Sequence, residues 1–421
     1  MSEPTFEAHV VDRDVTDGYW IQAVDVDGDG LPDLLTSGLA SGKVVWYRNP
    51  DWQKHLIHEF LRPVSLDQGD ITGDGTTDLV VCHDYAETMF VATPKDGKVS
   101  WLRNPGPDAV EGPWEVHPIG QLGSTHRLRL GHFTGPSALE LLAAPVVGPL
   151  SGAEALHAPV RVVLYQRPDD VLAAGPWPSR VLDDTSYPVI HGVALGNYGP
   201  PSPSDVDATI LASEAGLDWF GVDGTGAWRG ISLGGGEQGQ ARQTGYKGSA
   251  NVAVGRLCDD PFAYIVAVEP FHGDTLALYT RTGGEGLASA TWSRQVLETF
   301  PGRNEAGEGP AHHVVCADFD GDGDDEFLVA LRGPMPEQGV FHYRPVDVAG
   351  GLFEKTRVSE PSAARIAVAD FDGDGRLDFA TTGYNVPGYF ECEDPHVALF
   401  LNRFGRPVED LPTIPRGPLG G

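Results

Sequence analysis

The sequence has little that would build helices, little positive charge, few cysteines and no long apolar run, and each shortage removes a class of answer. No stretch keeps apolar residues at the 3.6-residue spacing of a helix face, so neither a bundle nor an alternating α/β fold is expected. Only 29 Lys and Arg stand against 60 Asp and Glu, a formal charge of −31. Nucleic acid is bound by neutralising its phosphates with cations, so no nucleic-acid partner is expected, and bound cations are expected to cancel part of the excess. The four cysteines, Cys82, Cys258, Cys316 and Cys392, are scattered singly with no CxxC spacing. They read as buried reduced thiols, not as a disulfide framework or a thiolate zinc knuckle. No run approaches the length of a membrane span, and the first residues, "MSEPTFEAHVVD", lack both a basic leader and an apolar segment. The expectation is a soluble cytoplasmic protein with no membrane partner.

What is abundant is glycine, 54 residues, and proline, 34 residues, the composition of many short strands joined by tight turns. Internal repetition makes this specific. "AVDVDGDGLPDLLTSG" (23–38) recurs as "QGDITGDGTTDLVVCH" (68–83), "CADFDGDGDDEFLVAL" (316–331) and "VADFDGDGRLDFATTG" (368–383), with degenerate copies at 130–145, 195–213 and 254–269. Seven units about 45 to 65 residues apart have the size of four-stranded propeller blades. Fourth strands follow six of them, at 52–59, 114–120, 177–183, 228–234, 292–298 and 353–359. The missing one is "FEAHVVD" at 6–12, which predicts that the first strand completes the last blade and closes the ring. The expected fold class is all-β: one seven-bladed β-propeller of four-stranded antiparallel blades over residues 1–407, followed by a flexible tail at 408–421.

The acidic loops follow DxDGDGxxD. Asp25, Asp27, Asp29 and Asp33 place carboxylates on alternate residues of a turn that glycine permits. Asp318, Asp320, Asp322 and Glu326 repeat the pattern, as do Asp370, Asp372, Asp374 and Asp378, with Asp70, Asp74 and Asp78 as a weaker copy. Hard oxygen ligands suit Ca²⁺ or Mg²⁺, and the expected role is structural, tying one strand to the next.

A different signal emerges when the seven inner strands are aligned on the residue before the first loop aspartate. Five positions back stand Tyr19, Val64, His126, His191, Ala250, His312 and Ala364. Equivalent positions on a pseudo-symmetric ring point to a common axis, so three histidines are expected at one mouth of the channel. Blade five breaks the run with Ala250, but the loop after its second strand, "EPFHGD", carries Glu269 and His272, and that loop belongs to the same face. His126, His191, His272 and His312 are thus the candidate ligands of a borderline transition metal such as Zn²⁺. His313 alternates to the other side of its strand and is expected to pack in the blade interior. The same face should collect Asp84 and Tyr85 from "CHDYAE", Tyr384 and Tyr389 from "GYNVPGYFE", and Tyr19 and Trp20 from "DGYW". Aromatic faces with scattered polar groups suit a sugar ring.

The segments "DGYW", "THRLRLGHFT", "EPFHGDTLALYT", "AHHVVCADFDGDGDDEFLVA" and "YNVPGYFE" closely resemble the propeller of the aldos-2-ulose dehydratase/isomerase (anhydrofructose dehydratase) family. The likeness runs over nearly the whole chain. That family couples a propeller to cupin and lectin-like domains, carries zinc at the bottom of a propeller cleft and dehydrates 1,5-anhydro-D-fructose or glucosone. The resemblance implies that the four histidines fall in matching motifs and that Glu269 belongs with them. The sequence departs from the family in ending after the propeller, without length for cupins, so the later isomerisation is not implied. The expected function is zinc-dependent elimination of water from a keto-sugar, with Glu269 as candidate base and Tyr389 or Tyr85 as proton donor. Asp84, Tyr19, Trp20 and Tyr384 are expected to contact the substrate, and the one protein partner considered is a second copy, in a homodimer. Two alternatives stay open. One is a non-catalytic calcium-stabilised propeller that binds carbohydrate or protein. The other keeps the metal site for elimination or cyclisation of another secondary metabolite.

Overall fold

The computed structural model describes residues 4–86, 95–149, 157–173, 175–239 and 245–404. Among them are 28 strands and no helix, arranged as seven four-stranded antiparallel sheets. No helix is long and apolar enough to cross a membrane. The inner strands are Trp20–Val24, Ser65–Gly69, Thr125–Gly131, Gly192–Gly196, Asn251–Leu257, Ala311–Ala317 and Arg365–Ala369. Six sheets are formed from consecutive strands, whereas the seventh joins the two ends of the chain. Phe6–Asp12 pairs antiparallel with Val397–Asn402, from Phe6 opposite Asn402 to Asp12 opposite Val397. The closing strand is therefore the one expected, and the two ends of the chain share one blade. The expected tail at 408–421 and the boundary at 407 lie outside the described residues.

Second strands such as Asp33–Ser37, Asp78–His83 and Glu326–Leu331 are buried at every position. Both of their faces are covered by neighbouring blades, which explains why these segments read as continuous apolar runs and not as alternation. The core lies in the seams. One cluster packs Trp20, Trp46 and Ile57 of blade one on Leu66, Leu79 and Leu102 of blade two. Fourth strands, such as Gln53–Glu59, alternate instead, because one face meets water.

The ninth residue of each acidic loop does a different job from the others. Asp33 accepts the Val26 and Asn49 N–H groups at 2.9 and 2.7 Å. Asp378 accepts those of Phe371 and Asn402 at 2.8 and 2.7 Å. Both aspartates are fully buried, and burial pushes their carboxyls up, to about 7 for Asp33 and about 6 for Asp378. The asparagine held in this way then reaches across the seam. Asn402 donates to Leu377 of its own blade at 2.9 Å and to Phe319 of blade six at 2.7 Å. Asn104 likewise joins Thr77 to Val26, and Asn49 joins Pro32 to Phe371. Asp33 and Asp378 are thus caps that tie a loop, a third strand and the next blade together. The oxygens that cluster within 4.8 Å of one another belong to Asp25, Asp27 and Asp29; to Asp318, Asp320 and Glu326; and to Asp370, Asp372 and Asp374. In blade six the longer Glu326 serves both purposes, accepting the Phe319 N–H at 2.8 Å, while Asp322 caps the Asp324 N–H at 2.9 Å.

Candidate functional site

The register predicted from sequence is realised at the face opposite the acidic loops. In blades two to five the residue two places before the register position has a left-handed backbone: Arg62 (φ 45), Ser124 (φ 59), Val189 (φ 47) and Gly248 (φ 77). Non-glycine residues pay for this conformation, a β-branched valine most of all. The turn carries the chain from the outer strand of one blade to the inner strand of the next, just ahead of the histidines.

Three of the four candidate histidines form a cluster. His191, His272 and His312 each offer a ring nitrogen within 4.8 Å of the others, and all three are buried. Their other contacts agree on one tautomer. Nδ1 of His191 donates to the Ala250 carbonyl at 3.1 Å, Nδ1 of His312 to that of Ala364 at 2.5 Å, and Nδ1 of His272 to the Glu308 carboxylate at 2.9 Å. Each pairing leaves Nε2 as the lone pair, the arrangement by which metal-binding imidazoles are held from behind. Among the described residues, Nε2 of His312 is buried with no partner, and Nε2 of His191 meets the Arg127 guanidinium at 3.2 Å, a contact that a bound metal would take over. Burial, reinforced by Arg127 and Arg332, holds His191 and His312 well below the ordinary imidazole value, so they stay neutral. Three imidazoles suit Zn²⁺ and its neighbours. His272 itself has φ 48, and its carbonyl is pinned by the Gly309 N–H at 2.8 Å.

His126 stands apart. Its ring lies 5.0 Å from that of His191, but Nε2 is engaged by the Tyr19 hydroxyl at 2.9 Å and Nδ1 is buried without a partner. It too is held neutral by burial. The expected four-histidine set therefore divides into three plus one.

His126 and His272 help line a cavity of about 170 Å³ whose walls include Tyr19, Tyr85, Phe271, Tyr384 and Tyr389. The Tyr389 hydroxyl touches Nδ1 of His272, and the Tyr384 ring lies 5.5 Å from that of His312. Tyr19, Tyr85, Tyr384 and Tyr389 thus share one cavity. Burial pushes the Tyr19, Tyr85 and Tyr384 phenols up, so they are neutral hydrogen-bonding groups.

Four residues stand elsewhere than expected. Glu269 is fully buried, but its carboxylate accepts from Ser249 at 3.1 Å, Tyr279 at 2.5 Å and Arg294 at 2.7 Å. It forms a structural ion pair in the wall of blade five, because the last residue of a second strand points into the sheet packing. Asp84 turns to His83 at 3.0 Å and Lys98 at 2.6 Å. Trp20 packs in the seam between blades one and two, since it follows Tyr19 and alternation sends it away from the cavity. His313 lies at the seam of blades six and seven, 3.0 Å from Arg365, and not inside its blade. Sequence reasoning missed Glu308, four residues before His312, and Arg127 and Arg365. The signal for the arginines was one register position further on, where Trp20, Arg127, His313 and Arg365 stand.

Residues 96–282 match the family described as "Aldos-2-ulose dehydratase, beta-propeller domain", and residues 14–81 match the FG-GAP-like repeat. Aldos-2-ulose dehydratase of Phanerodontia chrysosporium is 35% identical over 425 residues, covering 95% of this chain and 46% of that protein. The chain therefore spans about half the length of this relative. Among solved structures, BBS1N in complex with ARL6DN aligns with TM-score 0.53 at 11% identity, covering 95% of this chain and 96% of that one. The RRP9 WD40 repeats align with TM-score 0.52 at 10% identity, covering 94% and 97%. At such identities the likeness is one of fold alone. In sequence, over 95% of its length, this chain is similar to aldos-2-ulose dehydratase, and its middle carries the signature of that enzyme's β-propeller domain.

Proposed function

We propose that this chain is a zinc-dependent hydro-lyase that eliminates water from a keto-sugar such as 1,5-anhydro-D-fructose or an aldos-2-ulose. The observation that carries the reading is the set of three imidazoles, His191, His272 and His312, each held through Nδ1 and each offering a ring nitrogen within 4.8 Å of the others, beside a tyrosine-walled cavity. A binding module needs no such set. The likeness to a dehydratase supplies the reaction class, and the acidic loops are assigned structural Ca²⁺ on their carboxylate clusters.

When bound, the metal contributes positive charge beside the substrate carbonyl, acidifying the neighbouring C–H and stabilising the enediolate. The chain's own residues do the rest. His126, neutral and with an unpartnered Nδ1, accepts the proton from carbon. Tyr389, against His272, gives a proton to the departing hydroxyl, which leaves as water. Proton exchange between the two groups and solvent restores the starting state. Tyr19 orients His126, and Tyr384 and Phe271 pack the ring and exclude water.

The test is metal analysis of purified protein, followed by incubation with 1,5-anhydrofructose. One tightly held zinc per chain, lost in His191→Ala and in His312→Ala while calcium stays, is expected together with an enone chromophore in the ultraviolet. Absence of transition metal from protein made with ample zinc sinks the assignment.

A further inference from the structure

The protein as a whole is strongly anionic, yet around the cavity the sign reverses. Arg127, Arg332 and Arg365 are buried, at 1%, 0% and 5% exposure. Among the described residues, the polar contacts of their guanidiniums go to neutral groups. Arg127 donates to the His126 carbonyl at 2.9 Å and to His191 at 3.2 Å; Arg332 donates to the Gly309 carbonyl at 2.8 Å; Arg365 meets His313 at 3.0 Å. Aromatic faces supply the remaining company. Arg365 and Arg127 lie 3.9 and 5.4 Å from the Trp20 ring. Arg332 stands behind the cavity wall, 5.1 Å from Tyr384 and 5.4 Å from Tyr389. Nε of Arg127, Nε and Nη1 of Arg332 and Nη1 of Arg365 are buried with no partner.

Buried charge without a counter-charge is costly, and such a cost is retained where the charge serves a ligand. A fourth cation, Arg62, lines the cavity itself, whereas the carboxylate of Glu308 is spent on His272. We propose that the cavity favours negative charge on its ligand, with Arg127, Arg332 and Arg365 as a cationic frame that stabilises the enediolate from behind the wall. The name of that anion rests on the dehydratase reading; the preference for negative charge rests on the arginines alone. They are positioning residues, preorganised toward charge that develops in the reaction.

The experiment compares oxalate, a planar oxyanion, with the neutral 1,5-anhydroglucitol by calorimetry on the full chain, before and after transition metal is dialysed away. The metal-free chain is expected to bind oxalate at least about tenfold more tightly than the polyol. Arg332→Gln and Arg365→Gln should each weaken oxalate about tenfold and leave the polyol unchanged, while Arg332→Lys restores most of the loss. Equal oxalate affinity in the parent and in whichever glutamine variant folds, or oxalate binding that disappears with the metal in the parent, overturns the proposal. A chain that binds oxalate as expected but forms no enone refutes the dehydratase reading and leaves the anion preference standing.

Discussion

The carboxylate of Glu308 accepts from Nδ1 of His272 at 2.9 Å, and both side chains are buried, at 1% and 6% exposure. The pair spans the loop after the second strand of blade five and the approach to the inner strand of blade six. Glu308 is fixed in turn by Asn304, whose Oδ1 accepts the Glu308 N–H at 2.9 Å. Replacing Glu308 by Gln keeps the shape but removes the charge that makes His272 a stronger donor to metal. Zinc affinity should fall about 10- to 100-fold, the usual effect of losing such a support, with thermal unfolding of the calcium-loaded chain little changed. Competition with a zinc-sensitive dye measures the affinity; an unchanged value removes Glu308 from the site.

Glu269 should behave in the opposite way. It is held above the usual carboxylate range by burial, and it pairs with Arg294. Glu269→Gln leaves Arg294 with Glu237 alone, at 3.0 Å, and should cost about 2 kcal/mol of stability. Turnover per folded molecule should be unchanged. A variant that is fully stable but inactive would reinstate Glu269 as the base.

The asparagine stitches make a third expectation. In Asn402→Ala the carbonyls of Phe319 and Leu377 lose their donor in a buried seam, and the Phe404 N–H loses its acceptor, the Asn402 Oδ1 at 3.0 Å. The loss should be about 2–3 kcal/mol, read as a lower midpoint in chemical denaturation. No shift would mean that water replaces the side chain without cost.

Acid sensitivity has an identifiable source away from the channel. His342, 1% exposed with Nε2 unpartnered, is lowered by burial to about 4. The unfolded chain takes up this proton near 6.5 and the folded one only near 4, so stability present above 6.5 is lost as pH falls through that window, by about 3 kcal/mol at most. His342→Leu should flatten this part of the stability curve. Equal pH dependence of the two proteins between 6.5 and 4 would show that His342 does not supply it.

Much of this was legible in the residues because the chain says the same thing seven times. The loop phrase fixed the blade count, and the orphan strand at 6–12 fixed the closure, since an unpaired edge has to be satisfied somewhere. The tyrosines and histidines of the channel mouth could be placed by counting, because inner strands of a ring share one register. Counting stops at the backbone. It cannot say that the carboxylate at the end of a second strand turns toward Arg294, that Trp20 goes into a seam while Tyr19 faces the cavity, or that a glutamate 36 residues beyond His272 becomes its partner.

By itself, the sequence determined a closed seven-bladed ring, its acidic loops on one face and its histidines on the other, because repeats that each leave an unburied face have only each other to bury it. Tertiary structure decided which of those residues form one site. Hydrogen bonding from behind brought three imidazoles of four together, set Glu308 and not Glu269 against His272, and gathered three arginines from different blades around one cavity. Those choices depend on directions and distances between blades, which no spacing along the chain contains.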